Sequence, residues 1–164
     1  MKLYDAHNHL QDERFGGRQD ELMAQASAVG VAQMVVNGSC EADWPQVAEL
    51  ARRFPGLVVP SFGYHPWYLV ERTARWEDEL RGWLDRTSGA VVGEIGLDRW
   101  KPGLAYEGQE AVFLAQLGIA AERNLAASMH CLQAWGRMLE LLRASARPST
   151  LASRAAVQIP AGAS

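Results

Sequence analysis

The chain opens Met1-Lys2-Leu3-Tyr4-Asp5-Ala6-His7-Asn8-His9-Leu10. Read as a strand, this stretch projects side chains two apart onto one face. Asp5, His7 and His9 then point the same way, with Leu3 below them. Two imidazoles about 6 to 7 Å apart along a strand can close on one divalent cation, because neutral imidazole is a common ligand for zinc and similar metals. Asp5 is placed to orient one of these histidines by fixing its tautomer. The plain alternative is a strand end carrying two solvated histidines. The rest of the chain decides between the two.

Outward from this strand the pattern repeats. A polar loop ending in Gly16-Gly17 precedes a helical pattern over Arg18 to Val29, stopped by Gly30. Val31 to Val36 reads as a buried strand. Asp43 is placed to cap a helix over Trp44 to Phe54, with Pro45 in its first turn. Leu57 to Phe62 is the third strand, with Pro60 an awkward occupant. The turn Gly63-Tyr64-His65-Pro66-Trp67 leads to a helix over Arg75 to Arg86. Ala90 to Ile95 is the fourth strand, Gly96 to Gly103 a loop, Tyr106 to Arg123 the longest helix. Leu125 to His130 is the fifth strand and Ala134 to Arg143 the fifth helix. Strand, loop and helix thus recur five times, which predicts a parallel sheet with right-handed crossovers. Short apolar strands fit an open doubly wound sheet or a (β/α) barrel. No glycine-rich dinucleotide loop follows the first strand to favour the open sheet.

The length of 164 residues, with 48% hydrophobic, suits one domain with a sizeable core. Sixteen Lys and Arg against 19 Asp and Glu leave a net charge of −3, which is not the footprint of a basic nucleic-acid-binding surface. An enzyme that meets phosphate through bound cations needs no such surface. The two cysteines, Cys40 and Cys131, are too few for a disulfide framework. Neither a signal-peptide region nor a long apolar run is seen, so a cytoplasmic protein with no membrane span is expected.

The chemistry-bearing residues fall at one place in each unit. His7 and His9 end the first strand, Glu94 the fourth and His130 the fifth, and His65 lies in the loop after the third. These are the carboxyl ends of parallel strands, where barrel and open α/β enzymes both build their sites. The chain has four histidines and all of them are there. His7 and His9 would hold one cation, Glu94 would bridge to a second about 3.5 to 4 Å away, and His130 would hold that second ion. The alternatives are Glu94 paired with Arg99 and His130 as a core histidine. Asp98, in the loop, holds water or caps a turn. His65-Pro66-Trp67 either lines a substrate entrance, with Trp67 as a stacking surface for a base, or is a packed loop. The six tryptophans are expected mostly in the core.

The stretches Asp5 to Leu10, Gly63 to Trp67, Val92-Gly93-Glu94-Ile95-Gly96-Leu97-Asp98, the Gln109 to Gln116 helix with Phe113, and Met129-His130 resemble the TatD family of metal-dependent hydrolases and deoxyribonucleases. That resemblance implies a (β/α)8 TIM barrel of the amidohydrolase-like kind, of which about the first five βα units are present. It implies a one- or two-metal site for Mg, Mn or Zn, with His7, His9, Glu94 and His130 as ligands, Glu94 as the catalytic residue and His65 near the substrate. The implied reaction is hydrolysis of phosphodiester bonds in DNA, or in a small phosphoester. Amidohydrolases acting on C–N bonds often carry a modified lysine on the fourth strand, where this chain has Glu94. Full members also have a histidine after strand six and an aspartate ending strand eight. Residues 1–143 are therefore expected to form a partial barrel, and 144–164, rich in Ala, Ser, Arg and Pro, a disordered low-complexity tail. An inactive remnant that binds metal is the competing expectation. Open sheet edges predict self-association.

Overall fold

A computed structural model describes residues 1–146. Five strands alternate with five helices: β1 (Leu3–Asn8), α1 (Gln19–Ala28), β2 (Val31–Asn37), α2 (Trp44–Arg53), β3 (Val58–Phe62), α3 (Trp76–Arg86), β4 (Val91–Asp98), α4 (Tyr106–Arg123), β5 (Ala127–Leu132) and α5 (Trp135–Ser145). Short 3-10 segments at Glu13–Phe15 and Pro66–Glu71 occupy stretches expected as loop.

All neighbouring strands pair in parallel, in the order β1-β2-β3-β4-β5. A doubly wound sheet reverses its order at a switch point, and this one does not. Right-handed crossovers then put every helix on the same face. In a flat sheet β1 and β5 would lie four strand spacings apart, about 19 Å. Instead the His7 imidazole, at the end of β1, meets the Ser128 hydroxyl of β5 at 2.9 Å. The sheet is curled into the arc of a (β/α) barrel, and the open-sheet alternative falls.

The core lies between the convex face of this arc and the helices. Val36, Phe62, Val92, Ile95 and Leu97 from the strands are fully enclosed. Trp44 of α2 packs edge-on against Tyr64 at 5.5 Å and Phe62 at 6.4 Å, and Trp76 and Trp83 of α3 extend the cluster. Each such side chain contributes roughly 1.5–3 kcal/mol by leaving water. Trp100 and Trp135 are exposed instead. α4 supplies Val112, Phe113, Ile119 and Ala120, and buries two glutamines among them.

Three local departures have clear causes. Pro60 is tolerated because the Met34 N–H donates to the Leu57 carbonyl and the Gly38 N–H to the Ser61 carbonyl, so the odd-numbered residues of β3 face β2. Pro60 faces β4, where pairing starts only at Ser61. Asp43 precedes α2 but does not cap it with its side chain. Its carboxylate accepts the N–H groups of Ser39 (2.9 Å) and Cys40 (3.3 Å) and the Gln11 amide (3.0 Å), closing the loop after β2. β4 continues through Gly96 to Asp98, three residues beyond its expected end, so Asp98 is a strand residue rather than a loop residue. α5 runs to Ser145, two residues past the expected boundary. The rest of the expected tail, 147–164, lies outside the described residues. Among the described residues, no helix is long and apolar enough to cross a membrane.

Candidate metal centre

Two glycines of β4 create the site. The register of β4 against β5 shifts between Val92 and Ile95. Gly93 and Gly96 have φ of +152° and +155°, which L side chains rarely adopt. A Cβ on Gly96 would stand 1.9 Å from the His130 carbonyl oxygen, and one on Gly93 2.7 Å from Ser128 Cβ. The two backbones therefore approach closer than any other residue allows. Between them Glu94 is turned inward, its own N–H given to the Gly38 carbonyl at 3.0 Å and its side chain 6% exposed.

The predicted ligands converge on this carboxylate. Glu94 Oε2 lies 3.3 Å from His7 Nε2 and 3.1 Å from His9 Nε2, while Oε1 lies 3.1 Å from His130 Nδ1. His7, His9 and Glu94 form one group able to hold a metal ion, and His65, Glu94 and His130 form another. The alternative in which Glu94 pairs with Arg99 is not seen: Arg99 lies over the Tyr106 ring at 3.9 Å.

Hydrogen bonds at the far side of each ring decide which nitrogen is available. His9 Nδ1 lies 2.8 Å from the Asn37 carbonyl, which only accepts, so Nδ1 carries a proton and Nε2 is the nitrogen turned to Glu94, able to donate to the carboxylate when protonated and to hold an ion when not. His7 Nδ1 meets Ser128 Oγ. Asp5 was expected to orient a ring. It accepts the His7 backbone N–H at 3.0 Å and the Asn8 side-chain amide at 2.8 Å instead, and so braces the end of β1.

His65 is brought to the same place, with Nε2 3.8 Å from Glu94 Oε2. Its Nδ1 accepts the Trp67 backbone N–H at 3.2 Å. In the neutral ring the proton is then on Nε2, which makes His65 a hydrogen-bond donor into the site and leaves Glu94 and His130 as the members of the second group with a lone pair turned to an ion. Burial pushes its pKa down to about 4, outweighing the pull of Glu94, so the ring is neutral at pH 7. Trp67 lines the cleft but is also tied to its neighbours, as in the packed-loop alternative. Lys101 Nζ sits 4.2 Å from the centre of its ring, and its indole N–H is given to Asp98 at 2.6 Å.

Electrostatics bind the cluster together. Burial pushes the Glu94 carboxyl up, but hydrogen bonds from His130 and His9, with the nearby His65 and His7, outweigh it and hold the group well below the usual carboxylate range. The Glu94 hydrogen bond raises His9 against its burial. Burial lowers His130, and its bonds to Glu94 and Asp98 more than reverse that. One ionised carboxylate with imidazole nitrogens on both oxygens is a donor set suited to zinc, manganese or magnesium-type cations. The side-chain oxygens of Gln11 and Asn37, buried beside the cluster, have no hydrogen-bond partner. The cluster forms the floor of a cleft of about 710 Å³, whose walls include Gln11, Arg14, Asp43, Trp67 and Tyr68.

Several participants escaped the sequence reading. Ser128 is one; it sits two residues before His130, the spacing that puts both on one face. The contact of Asp98 with His130 at 3.0 Å is another; Asp98 was read as a loop residue, and its signal was the parity it shares with Glu94 once the strand is continued. Gln116 and Gln109 were visible as polar residues on the buried face of α4. The Gln116 amide grips Tyr64 at both N–H (2.6 Å) and carbonyl (3.2 Å), and Gln109 grips Asp98 likewise (2.7 and 3.0 Å), so α4 fixes the ends of two site-bearing segments.

Comparison with known proteins bears on family and fold. The family described as TatD related DNase matches residues 4–156. The chain is 29% identical over 140 residues to the 3'-5' ssDNA/RNA exonuclease TatD of Pantoea vagans, covering 85% of this chain and 54% of that protein. It is 32% identical over 140 residues to the protein of the same name from Salmonella typhimurium, with the same coverage. The chain thus spans about half the length of the curated relatives it matches. Among solved structures, YJJV, a TatD homolog from Escherichia coli, superposes with a TM-score of 0.81 at 24% identity, over 87% of this chain and 55% of that one. A TatD family hydrolase from Entamoeba histolytica gives 0.75 at 21% identity, over 88% and 54%. With its barrel arc and this match over residues 4–156, the chain belongs to the TatD related DNase family.

Proposed function

We propose that this chain is a metal-dependent hydrolase that cleaves phosphodiester bonds of DNA. The observation that carries the reading is the convergence of His7, His9 and His130 on the two oxygens of the buried Glu94. His7 and His9 would hold one cation and His130 a second, with Glu94 between them. Divalent cations in such a site polarise the phosphoryl oxygen and lower the pKa of a bound water. The cleft walls support a role for cations: Asp12, Glu13, Asp43 and Glu94 line it, and Arg14 is the one Lys or Arg among its lining residues. A polyanion entering there needs positive charge that this lining does not provide. His65 donates its Nε2–H to a substrate oxygen without competing for the metal. The relatives named as ssDNA/RNA exonucleases favour a single-stranded nucleic acid as substrate.

The test is metal content together with hydrolysis of single-stranded DNA and of a phosphodiester dye, with magnesium, manganese or zinc. Turnover is expected with at least one metal. Glu94→Ala should lower it by more than the about 10- to 100-fold associated with groups behind the ligands. A chain that binds no metal, or binds it and cleaves neither substrate, overturns the proposal. The same reading includes a reducing, cytoplasmic setting, supported by two free cysteines. It also includes self-association through the outer edges of β1 and β5, which pair with no further strand among the described residues. Sedimentation velocity should show a concentration-dependent larger species, and a monomer at every concentration refutes that part.

A further inference from the structure

We infer that Arg14 binds the phosphate next to the one being cleaved, so that the cleft selects a polynucleotide over an ester with a single phosphate. This rests on the metal-dependent reading above and names which substrate class the site takes. Arg14 is near the ligands both in the chain and in space. The Asp12 N–H donates to the His9 carbonyl at 3.0 Å, which turns the chain sharply after β1 and starts the 3-10 segment Glu13–Phe15. Arg14 lies in that segment and borders the same cleft as His7, His9 and Glu94. It is the one Lys or Arg that does so.

Asp12 fixes both the backbone and the side chain of this residue. Its Oδ1 accepts the Arg14 backbone N–H at 2.8 Å and so caps the segment. The same carboxylate takes the Nε–H, at 2.9 Å from each oxygen, and one hydrogen of Nη2. One edge of the guanidinium is thus clamped, which sets the direction of a side chain that is 87% exposed. The other edge is open. Nη1 and the second Nη2 hydrogen have no acceptor among the described residues, and together they form the planar fork that matches two oxygens of one phosphate. Arg18 and Arg52 make similar pairs with Glu21 and Glu49, but neither borders the cleft. A clamped guanidinium has less freedom to lose on binding than a loose one. The Asp12–Arg14 pair has no net charge, so it does not attract a polyanion from a distance. It positions one: the ions neutralise the phosphate under attack, and the fork takes its neighbour along the strand. An ester with one phosphate has nothing to offer the fork.

The experiment measures binding of a fluorescent phosphorothioate oligothymidylate to the metal-loaded full chain over a range of salt. Each phosphate contact to a single strand steepens the fall of log K with log salt by about 0.7. Arg14→Ala should flatten the fall by about that amount and weaken binding about tenfold at low salt, and Arg14→Lys should recover the slope. Because Arg14→Ala leaves the Asp12 charge unopposed, the double variant Asp12→Asn with Arg14→Ala is measured too. It restores zero net charge to the pair and keeps a capping residue. A double variant that binds like the parent would show that only the charge of the cleft mouth matters, and overturns the inference. An Arg14→Ala chain with the parent's slope overturns it as well, as does a parent that fails to bind the oligonucleotide at low salt. In hydrolysis, the ratio of kcat/KM for the unmodified oligonucleotide to that for a phosphodiester dye should fall about tenfold in the double variant, and an unchanged ratio refutes the selection. Binding that depends on Arg14 without hydrolysis in any metal refutes the proposed function and leaves the phosphate contact standing.

Discussion

One hydrogen atom at Gly96 keeps the fourth and fifth strands together. Gly96→Ala adds a methyl group against the His130 carbonyl and requires an unfavourable φ. Overpacking costs about 1–3 kcal/mol, and a φ region that is essentially reserved for glycine about 1–3 kcal/mol more. Urea unfolding should show a loss of roughly 3 kcal/mol, and an unchanged midpoint would show that the strands can separate freely. A second residue-scale prediction concerns Glu41. It accepts the Tyr64 hydroxyl, the Thr73 N–H (3.0 Å) and the Thr73 hydroxyl (2.8 Å), tying the loop after β2 to the one before α3. Burial raises its pKa, but these bonds outweigh it and the net shift is downward. Its folded pKa thus lies below the unfolded one. The stability it contributes is fully present above about pH 4.3, the ordinary glutamate value, and is lost as pH falls through the folded pKa. Glu41→Gln should cost about 1–2 kcal/mol at pH 7, and the gap to the parent chain should narrow in acid. A gap that stays constant down to pH 3 would mean the carboxylate charge is not what matters.

At the scale of the element, α4 is the brace of the site. Gln116→Leu keeps the volume but leaves the Tyr64 N–H and carbonyl buried and unpaired. At about 1–3 kcal/mol for each orphaned group, a loss of roughly 2–4 kcal/mol is expected in urea unfolding. No loss would show that water replaces the amide. The span of this helix was legible in full, because its apolar face recurs at helical spacing and Asn124 closes it in the left-handed conformation. The alternation of strands and helices was equally legible, and it alone brought all four histidines and Glu94 to one end of the sheet. β4 was read short because Gly96 looked like a break, whereas a glycine inside a strand more often marks a bulge or a close backbone approach. Asp98 was misplaced with it. Asp5 and Asp43 were given the right neighbourhoods but the wrong donors, since sequence spacing does not say which backbone N–H turns toward a nearby carboxylate. The contact of His7 with Ser128, 121 residues away, depends on how far the sheet curls, and no single strand encodes that.

For the whole molecule, the candidate ligands come from both edge strands of the arc and from β4 beside one of them. An ion that binds only the folded arrangement stabilises it by mass action, by about 2.7 kcal/mol at one hundred times its dissociation constant. Added zinc or manganese should therefore raise the Tm, and a chelator should reverse the gain. A Tm indifferent to both would separate the cluster from any metal. The burial of the strands adds a further consequence. β4 is enclosed over almost its entire length, whereas β1 and β5 are largely open to solvent. Local breathing costs least where few apolar contacts hold the chain, so it begins with the strands at the two edges, which bring His7, His9 and His130 to the site. On slow heating, bound ions should be released while the helical far-UV signal is still intact, leaving a folded interior in which Glu94 keeps His65 and loses His7, His9 and His130.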